Sequence, residues 1–373
     1  MFKSYLITAW RNLKRSKLYS AINIIGLSMG LACAMLIVLY VKDEVSFDRF
    51  HTNHGSIYRV VNQEFNPDGS LAAQSGSSGF LQGPRFSAAI PDIRHFTRFR
   101  SRYMDIKEGD EIKGQQLFET DSSFFSVFSF PLLKGNPATA LKQPRSVVLS
   151  ADMARRQFGS LDVLGKTLAL KENDTFEPYT VTGVAANCPQ NSSIRFDILT
   201  TFVAPAAEEA NTDNWFNFFL NTFVVLQPGA NQQAVEKKMQ AFYKKDAGAS
   251  IESMMKEYGI NTSTVYSLQP LAAMHLSTDM STSNGLYGAS NPMYSYILSA
   301  IAVFILIIAC INFVNLTVAR SVRRAKEIGI RKVIGGDRRQ LIAQFLGESF
   351  VLCLIAFVLA IGLVELTLPV FNK

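Results

Sequence analysis

Cysteine, histidine and charged side chains are scarce in this chain of 373 residues. It contains four cysteines and four histidines, and only 18% of its residues are charged. Cys33, Cys310 and Cys353 lie in long apolar runs, which leaves Cys188 alone in the rest of the chain. An internal disulfide is therefore excluded from the soluble part, which must be held together by its own hydrophobic core.

The sequence also lacks the patterns of an active site or a metal centre. Residues 165–167 resemble the end of a phosphate-binding loop, but that loop needs four residues after its first glycine, whereas five follow Gly159. His51 and His54 lie near Asp48 in a polar segment, and we interpret them as surface histidines rather than metal ligands. No catalytic triad can be identified. We predict no enzymatic activity, no metal and no bound cofactor.

Hydrophobic residues make up 48% of the chain and are concentrated in three runs. The runs cover residues 20–41, 292–317 and 341–369, and each is long enough to cross a bilayer as a helix. Lys42 follows the first run without a small-residue cleavage site, which favours an uncleaved anchor over a signal peptide. The predicted fold class is therefore an α-helical membrane protein with three transmembrane helices.

Positive charge is concentrated beside these runs. Of the net charge of +7, residues 1–19 carry +5 and residues 318–340 carry +6, which leaves −4 for the remainder. Basic segments that flank membrane helices stay in the cytoplasm, so residues 42–291 are predicted to be extracytoplasmic. Because neither basic cluster lies on a folded domain, we do not predict nucleic acid as a partner.

The N-terminal residues 1–19 have the apolar spacing of an amphipathic helix, with Trp10 on the apolar side and Lys3, Arg11 and Lys14 on the other. Such a helix lies in the interface of the membrane and contacts lipid. We therefore predict a cytoplasmic interfacial helix that precedes the first transmembrane helix.

Three residues within the apolar runs have a predicted role there. Gly26 and Gly30 form a GxxxG spacing, which either lets another helix approach closely or arises by chance, since glycine is common in membrane helices. Glu348 lies inside the third run, where burial of a charge costs about 2.5 to 3.5 kcal/mol. We expect Glu348 to face another helix, water or a polar partner such as Gln344.

Residues 42–291 alternate short strand patterns with helical ones, which predicts a large α+β domain. Ser150 and Asn231 are predicted to cap two of the helices. Residues 71–83 and 279–291 are predicted loops, because they are rich in small and polar residues. The predicted strands are rich in β-branched and aromatic residues and cover Ile57–Phe65, 146–149, 179–184 and 222–226.

The segment 318–340 connects the second and third apolar runs and has the pattern of an amphipathic helix. Arg320, Arg324, Glu327 and Arg331 share one stripe, while the apolar residues lie on a separate arc. Taken alone, this pattern predicts a basic cytoplasmic helix and loop that set the topology of the chain.

The string Arg324-x-x-Glu327-Ile-Gly-Ile-Arg-Lys-Val-Ile-Gly335 resembles the signature that follows the second membrane helix in the MacB/FtsX family of ABC-transporter permeases. In that family the segment is a coupling helix that docks on a cytoplasmic ATPase. The resemblance implies that the following residues form the coupling surface: Arg324, Lys326, Glu327, Ile328, Gly329, Ile330, Arg331, Lys332, Val333 and Gly335.

Other segments resemble the MacB-like periplasmic core domain of the same family. They are Phe47-Asp-Arg-Phe-His51 and residues 124–135, 146–150, 158–159, 164–168, 181–184 and 189–192. One departure is Ser193, where relatives often carry histidine. Residues 292–373 resemble an FtsX-like domain without its last span, so we expect either a fragment or the first part of a duplicated permease.

The resemblance implies a permease subunit in the inner membrane that couples ATP hydrolysis by a separate ATPase to movement of its periplasmic domain. The implied partners are a cytoplasmic ABC ATPase dimer, a second permease copy or second half, and a periplasmic or outer-membrane protein. The alternatives are an FtsX-like regulator of a cell-wall hydrolase and a membrane-anchored sensor. The size of the large domain favours transport, and the 23 residues between the last two runs leave no room for a sensor output domain.

Overall fold

The computed structural model describes residues 17–109, 111–172, 174–202, 214–259, 261–280, 282–323, 329–330, 333 and 338–371. The chain divides into two compact units. One comprises Met1–Asp43 with Pro292–Lys373, and its described residues are called the helical unit here. The other, Glu44–Asn291, is called the large domain. The predicted interfacial helix lies outside the described residues except for its last three positions.

The elements of secondary structure follow in chain order. The helices are α1 Lys17–Ser46, α2 Gln82–Ala89, α3 Phe124–Val127, α4 Ala151–Phe158, α5 Gln232–Asp246, α6 Gly248–Tyr258, α7 Leu271–Met274, α8 Pro292–Arg323 and α9 Arg338–Phe371. The strands are β1 Ile57–Phe65, β2 Leu71–Ser75, β3 Ile93–Glu108, β4 Glu111–Thr120, β5 Leu132–Lys134, β6 Ser146–Ser150, β7 Thr167–Glu172, β8 Thr175–Ala185, β9 Ile198–Thr201, β10 Asn221–Leu226 and β11 Ser263–Pro270.

Helices α1, α8 and α9 are each long and apolar enough to cross a membrane. The apolar parts extend over Lys17–Ser46, Pro292–Ala319 and Ile342–Val370, which include nearly all of the three predicted runs. The predicted fold class is confirmed: among the described residues, three membrane-type helices accompany a large α+β domain inserted between the first two.

The strands of the large domain form one mixed sheet. Its order is β11-β1-β10-β3-β4-β9-β6-β8-β5, with β2 paired to β1 and β7 paired to both β3 and β8. The pairs β4–β9 and β6–β8 are parallel, while β1, β10 and β3 form an antiparallel group. Strand β10 therefore lies between β1 and β3, although both strands come much earlier in the chain.

Two helices begin where the sequence predicts. The hydroxyl of Ser150 accepts a hydrogen bond from the backbone N–H of Met153, and α4 ends at Gly159 with φ 71°. The side chain of Asn231 caps α5 in the same way through the N–H of Ala234. Both caps involve atoms only three residues apart, so the local sequence is sufficient to specify them.

Three clusters of buried side chains stabilise the sheet. The first is rich in phenylalanine and includes Phe99, Phe118, Phe124, Phe128, Phe130 and Phe223. The second lies with α2 and α5 and includes Phe86, Trp215, Tyr243 and Tyr266. The third lies with α4 and includes Val147, Leu149, Met153 and Val181. Burial of this apolar surface is the main favourable contribution to folding of the domain.

The predicted loop over residues 71–83 is wrong. Leu71–Ser75 forms β2, which pairs antiparallel with β1, and α2 begins at Gln82. The small and polar residues there have weak intrinsic strand preference, but the exposed edge of β1 supplies hydrogen-bond partners for their backbone. Tertiary pairing therefore overrides the local composition.

Candidate functional site

Most of the predicted coupling surface lies outside the described residues. This applies to Arg324, Lys326, Glu327, Ile328, Arg331, Lys332 and Gly335. The three described members, Gly329, Ile330 and Val333, are helical, and Ile330 and Val333 are 54% and 89% exposed. Their apolar side chains are accessible to a partner, and the coupling assignment itself stays a prediction.

The two glycines of the GxxxG spacing lie on the side of α1 that contacts α8. A Cβ atom at Gly30 would lie 2.8 Å from Cβ of Ala309, and one at Gly26 would lie 3.4 Å from Nδ2 of Asn312. Real Cβ atoms essentially never approach as closely as the first distance. The absence of a side chain at Gly30 is therefore what lets these two helices pack at this separation.

Glu348 on α9 is 8% exposed and lines a cavity of about 160 Å³ in the helical unit. Tyr19 of α1 and Thr317 of α8 line the same cavity, and the hydroxyl of Tyr19 donates to Oγ1 of Thr317 at 3.1 Å. Ser321 and Ser349 add two more hydroxyl groups. The carboxyl group thus lies among polar side chains from three helices, where a charge costs less than in lipid.

The chain leaves α1 through a tight turn at Asp48. This residue has φ 58°, a left-handed conformation that aspartate tolerates better than most side chains, and it is fully buried. Its Oδ1 accepts the N–H of Ser193 at 2.8 Å, while its own N–H donates to the carbonyl of Asn191 at 2.9 Å. Burial raises the pKa of Asp48 to about 6, although the hydrogen bonds from Ser193 and Ser192 oppose that shift.

His51 is fully buried, so the prediction of a surface histidine is wrong. Its Nδ1 accepts the backbone N–H of Ser129 at 3.0 Å, and its ring packs against Phe128 and Phe130. A ring nitrogen that accepts a hydrogen bond carries no proton, which places the proton of the neutral ring on Nε2. Burial lowers the pKa of His51 to about 4, so the ring is neutral at pH 7.

Sequence reasoning missed the contact between Asp48 and the turn at Ser193, which lie 145 residues apart. One indication of this contact was available in the sequence. Both segments, Phe47-Asp-Arg-Phe-His51 and residues 189–192, resemble the same family domain. The departure at Ser193 is tolerated because the contact uses its main-chain N–H, which any residue except proline provides.

His51 and His54, in the turn after α1, bond main-chain groups. Within the described ranges, no group of three or more His, Cys, Asp or Glu side chains is arranged to hold a metal ion. Nδ1 of His51 is used by Ser129, and Nδ1 of His54 lies 2.9 Å from the carbonyl of His51. These contacts give both histidines a structural role in the turn after α1.

Comparisons with known families agree with this architecture. Residues 20–242 match the MacB-like periplasmic core domain, and residues 299–373 match the FtsX-like permease C-terminal domain. The chain therefore belongs to the MacB/FtsX family of permeases.

Individual relatives are distant. The chain is 23% identical to the macrolide export ATP-binding/permease protein MacB 1 of Yersinia pestis bv. Antiqua, over 99% of this chain and 54% of that protein. It is 25% identical to the macrolide export ATP-binding/permease protein MacB of Neisseria meningitidis serogroup A, over 61% of this chain and 31% of that protein. The chain thus spans about half the length of the first of these curated relatives.

A solved structure supports the fold of the large domain. A domain of a Porphyromonas gingivalis protein, described as a permease, is similar with a TM-score of 0.50 and 22% identity. The similarity covers 66% of this chain and 98% of that domain. At this identity the comparison establishes a shared fold.

Proposed function

We propose that the chain is the permease subunit of an ABC transporter that works by mechanotransmission. In this proposal a separate cytoplasmic ATPase dimer binds and hydrolyses ATP, and the permease converts that cycle into movement of its periplasmic large domain, which exports or extracts a substrate. The observation that carries the proposal is the match of both parts of the chain to permease families. A second permease copy or second half completes the transporter in the inner membrane.

The continuity of α1 supports a mechanical role. This helix runs for 30 residues without a break from Lys17 to Ser46, and its last three residues already belong to the large domain. An α-helix of this length is stiff, because every backbone carbonyl in its interior is bonded to an N–H group one turn away. A displacement at the start of α1 would therefore reach the first residues of the large domain.

In this proposal the ATPase docks on the coupling surface, and its movement begins the displacement of the permease. Ile330 and Val333 expose apolar side chains, and the sequence of this segment is rich in basic residues. This combination suits a partner with an acidic rim and an apolar pocket. ATP is bound by the partner in this scheme, and the permease contributes no catalytic residue.

The test is a double charge reversal, Glu327→Arg with Arg331→Glu, in the complete permease expressed with its ATPase. An exposed helical pair stabilises a helix by only about 0.2 to 0.5 kcal/mol, so membrane levels should stay normal. Loss of a partly buried charged contact with a partner costs about 2 to 5 kcal/mol, which corresponds to more than about tenfold weaker assembly. We expect the variant to fail to co-purify with the ATPase and to fail to stimulate it.

A matched control exists in the large domain. Asp152 and Arg155 form an exposed pair on α4, 3.2 Å apart and one turn from each other. Asp152→Arg with Arg155→Glu should assemble with the ATPase as the parent does. If the reversal at 327 and 331 also assembles and stimulates ATP hydrolysis normally, the coupling assignment of these charges is wrong.

A further inference from the structure

The loop Asn191–Arg195 contacts the segment that enters the large domain from α1. Nδ2 of Asn191 donates to the hydroxyl of Ser46 at 2.8 Å, and the N–H of Ser193 donates to the carboxylate of Asp48 at 2.8 Å. The N–H of Asp48 returns a bond to the carbonyl of Asn191. The end of α1 and the turn after it are therefore held on the loop by hydrogen bonds to both main-chain and side-chain groups, with Asp48 and Ser193 buried.

The same loop also contacts the segment that leaves the large domain toward α8. The carbonyl of Ser193 accepts the N–H of Tyr287 at 2.9 Å, and Ile194 forms an antiparallel bridge with Leu286. The guanidinium of Arg195 lies 4.2 Å from the ring centre of Tyr287, a favourable cation–π distance. Ser193 thus bonds one end of the domain through its N–H and the other end through its carbonyl.

His275 makes a second connection between the two ends. Its ring stacks on Phe47 with centroids 3.4 Å apart and planes within 3°, and its Nε2 lies 3.4 Å from a carboxylate oxygen of Glu44. Its backbone carbonyl accepts the N–H of Ser290 at 2.7 Å. Since His275 is only 7% exposed, water competes little with these contacts.

We infer that the Asn191–Arg195 loop and His275 lock the two ends of the large domain into one rigid body, so that α1 and α8 drive the domain together. This inference rests on the proposed function. Two separate flexible connections would absorb a displacement of either helix, whereas a hydrogen-bonded crosslink transmits it. Asp48, Asn191 and His275 are positioning residues in this scheme.

The crosslink makes a prediction that does not depend on any ATPase. In the chain reconstituted in lipid nanodiscs, Asp48→Gly removes the carboxylate but suits the left-handed backbone. We expect amide exchange to become about tenfold faster in the peptide that contains Ser193 and also in the peptide that contains Tyr287. Asp48→Asn, which keeps an acceptor oxygen, should leave both peptides near the parental rate.

The control is Asp68→Gly. Oδ1 of Asp68 also accepts a backbone N–H, that of Ser70 at 2.9 Å, but in an exposed turn, so neither peptide should change. Faster exchange at Ser193 with parental exchange at Tyr287 would show that the two ends are independent and would overturn the inference. If amide exchange also becomes faster in strands β6 and β8 of Asp48→Gly, the substitution has destabilised the whole domain. Asn191→Ala is then measured instead, and exchange in the peptides that contain Ser193 and Tyr287 is compared in the same way.

Movement is measured in the complete permease with its ATPase. Spin labels at Tyr103 and Leu366, which are 79% and 76% exposed on the large domain and on α9, report the distance between the two units. We expect ATP to shift this distance in the parent and in Asp68→Gly, and Asp48→Gly to lose the shift while retaining ATP hydrolysis. No shift in the parent would contradict the proposed function but leave the exchange result valid, whereas a parental shift in Asp48→Gly would refute the transmission role.

Discussion

The large domain and the helical unit are both rich in apolar side chains, yet they place them differently. In the large domain Phe99 and Phe223 stack on each other and are fully buried. In the helical unit Phe304, Leu366 and Val370 are 66%, 76% and 77% exposed. The first pattern is that of a domain that folds by hiding apolar surface from water, and the second is that of helices that contact lipid or further helices.

The two regions also treat buried polar groups differently. The large domain buries Arg100 against Glu119, with 2.6 Å between nitrogen and oxygen, and gives buried Asp48 a specific backbone donor. The helical unit instead places Glu348 in a cavity shared by hydroxyl groups from three helices. Arg100, Glu119 and Asp48 are thus bonded by specific partners within the large domain, whereas Glu348 shares a polar cavity between helices of the helical unit.

The largest difference between the two regions is expected when one phenylalanine is replaced in each. Phe99→Ala should lower the free energy of unfolding of the large domain by about 3 to 5 kcal/mol, because it leaves a cavity in a fully buried cluster. Phe304→Ala removes the same atoms from an exposed position of α8 and should leave the unfolding of the large domain unchanged. Thermal unfolding of both variants in nanodiscs measures this. Equal effects would show that buried and exposed phenylalanines contribute alike to the stability of the large domain.

A second test concerns the buried titratable groups of the large domain. Between pH 4 and 6 the folded domain retains a proton on Asp48 that the unfolded chain releases, so this group lowers stability as the pH rises. His51 acts in the opposite sense, because the unfolded chain binds a proton that the folded domain excludes. In the parent the two contributions largely offset each other over this range.

Single substitutions should reveal how Asp48 and His51 each contribute to the pH dependence of stability. From pH 4 to pH 6, the free energy of unfolding of Asp48→Asn should rise by about 2 kcal/mol relative to that of the parent over the same range. For His51→Gln it should fall by a similar amount relative to the parent. Denaturant unfolding followed by the fluorescence of Trp215 at several pH values measures both slopes. Parallel slopes in the parent and both variants would show that these two groups do not titrate in the folded domain as described.

A third test separates internal helix packing from lipid contact. Gly30→Ala places a Cβ 2.8 Å from Ala309 and should destabilise the packing of α1 on α8 by about 1 to 3 kcal/mol. Gly362→Ala on α9 meets no atom within 4 Å and should be neutral or stabilising by up to about 1 kcal/mol. Disulfide crosslinking between cysteines introduced on α1 and α8 would report the difference, and equally efficient crosslinking in both variants would argue against the close contact.

The sequence alone determined the features that depend on neighbouring residues. The three apolar runs specify the membrane-type helices by length and hydropathy, and Ser150 with Gly159 specifies both ends of α4 by capping. The signature at residues 324–335 indicated the family, which the domain matches establish. These signals are local, since a period or a cap involves atoms within a few residues of each other.

Other features of the fold depend on contacts between segments that are far apart in the chain. The tertiary structure buried His51, paired β2 with β1, placed Gly30 against Ala309 and joined Asp48 to Ser193 across 145 residues. Each of these outcomes depends on which distant segment supplies the apolar surface or the hydrogen-bond donor. Composition and periodicity describe what a segment can bury or bond, but the partner is selected by the packing of the whole domain, where an unsatisfied buried group would be costly.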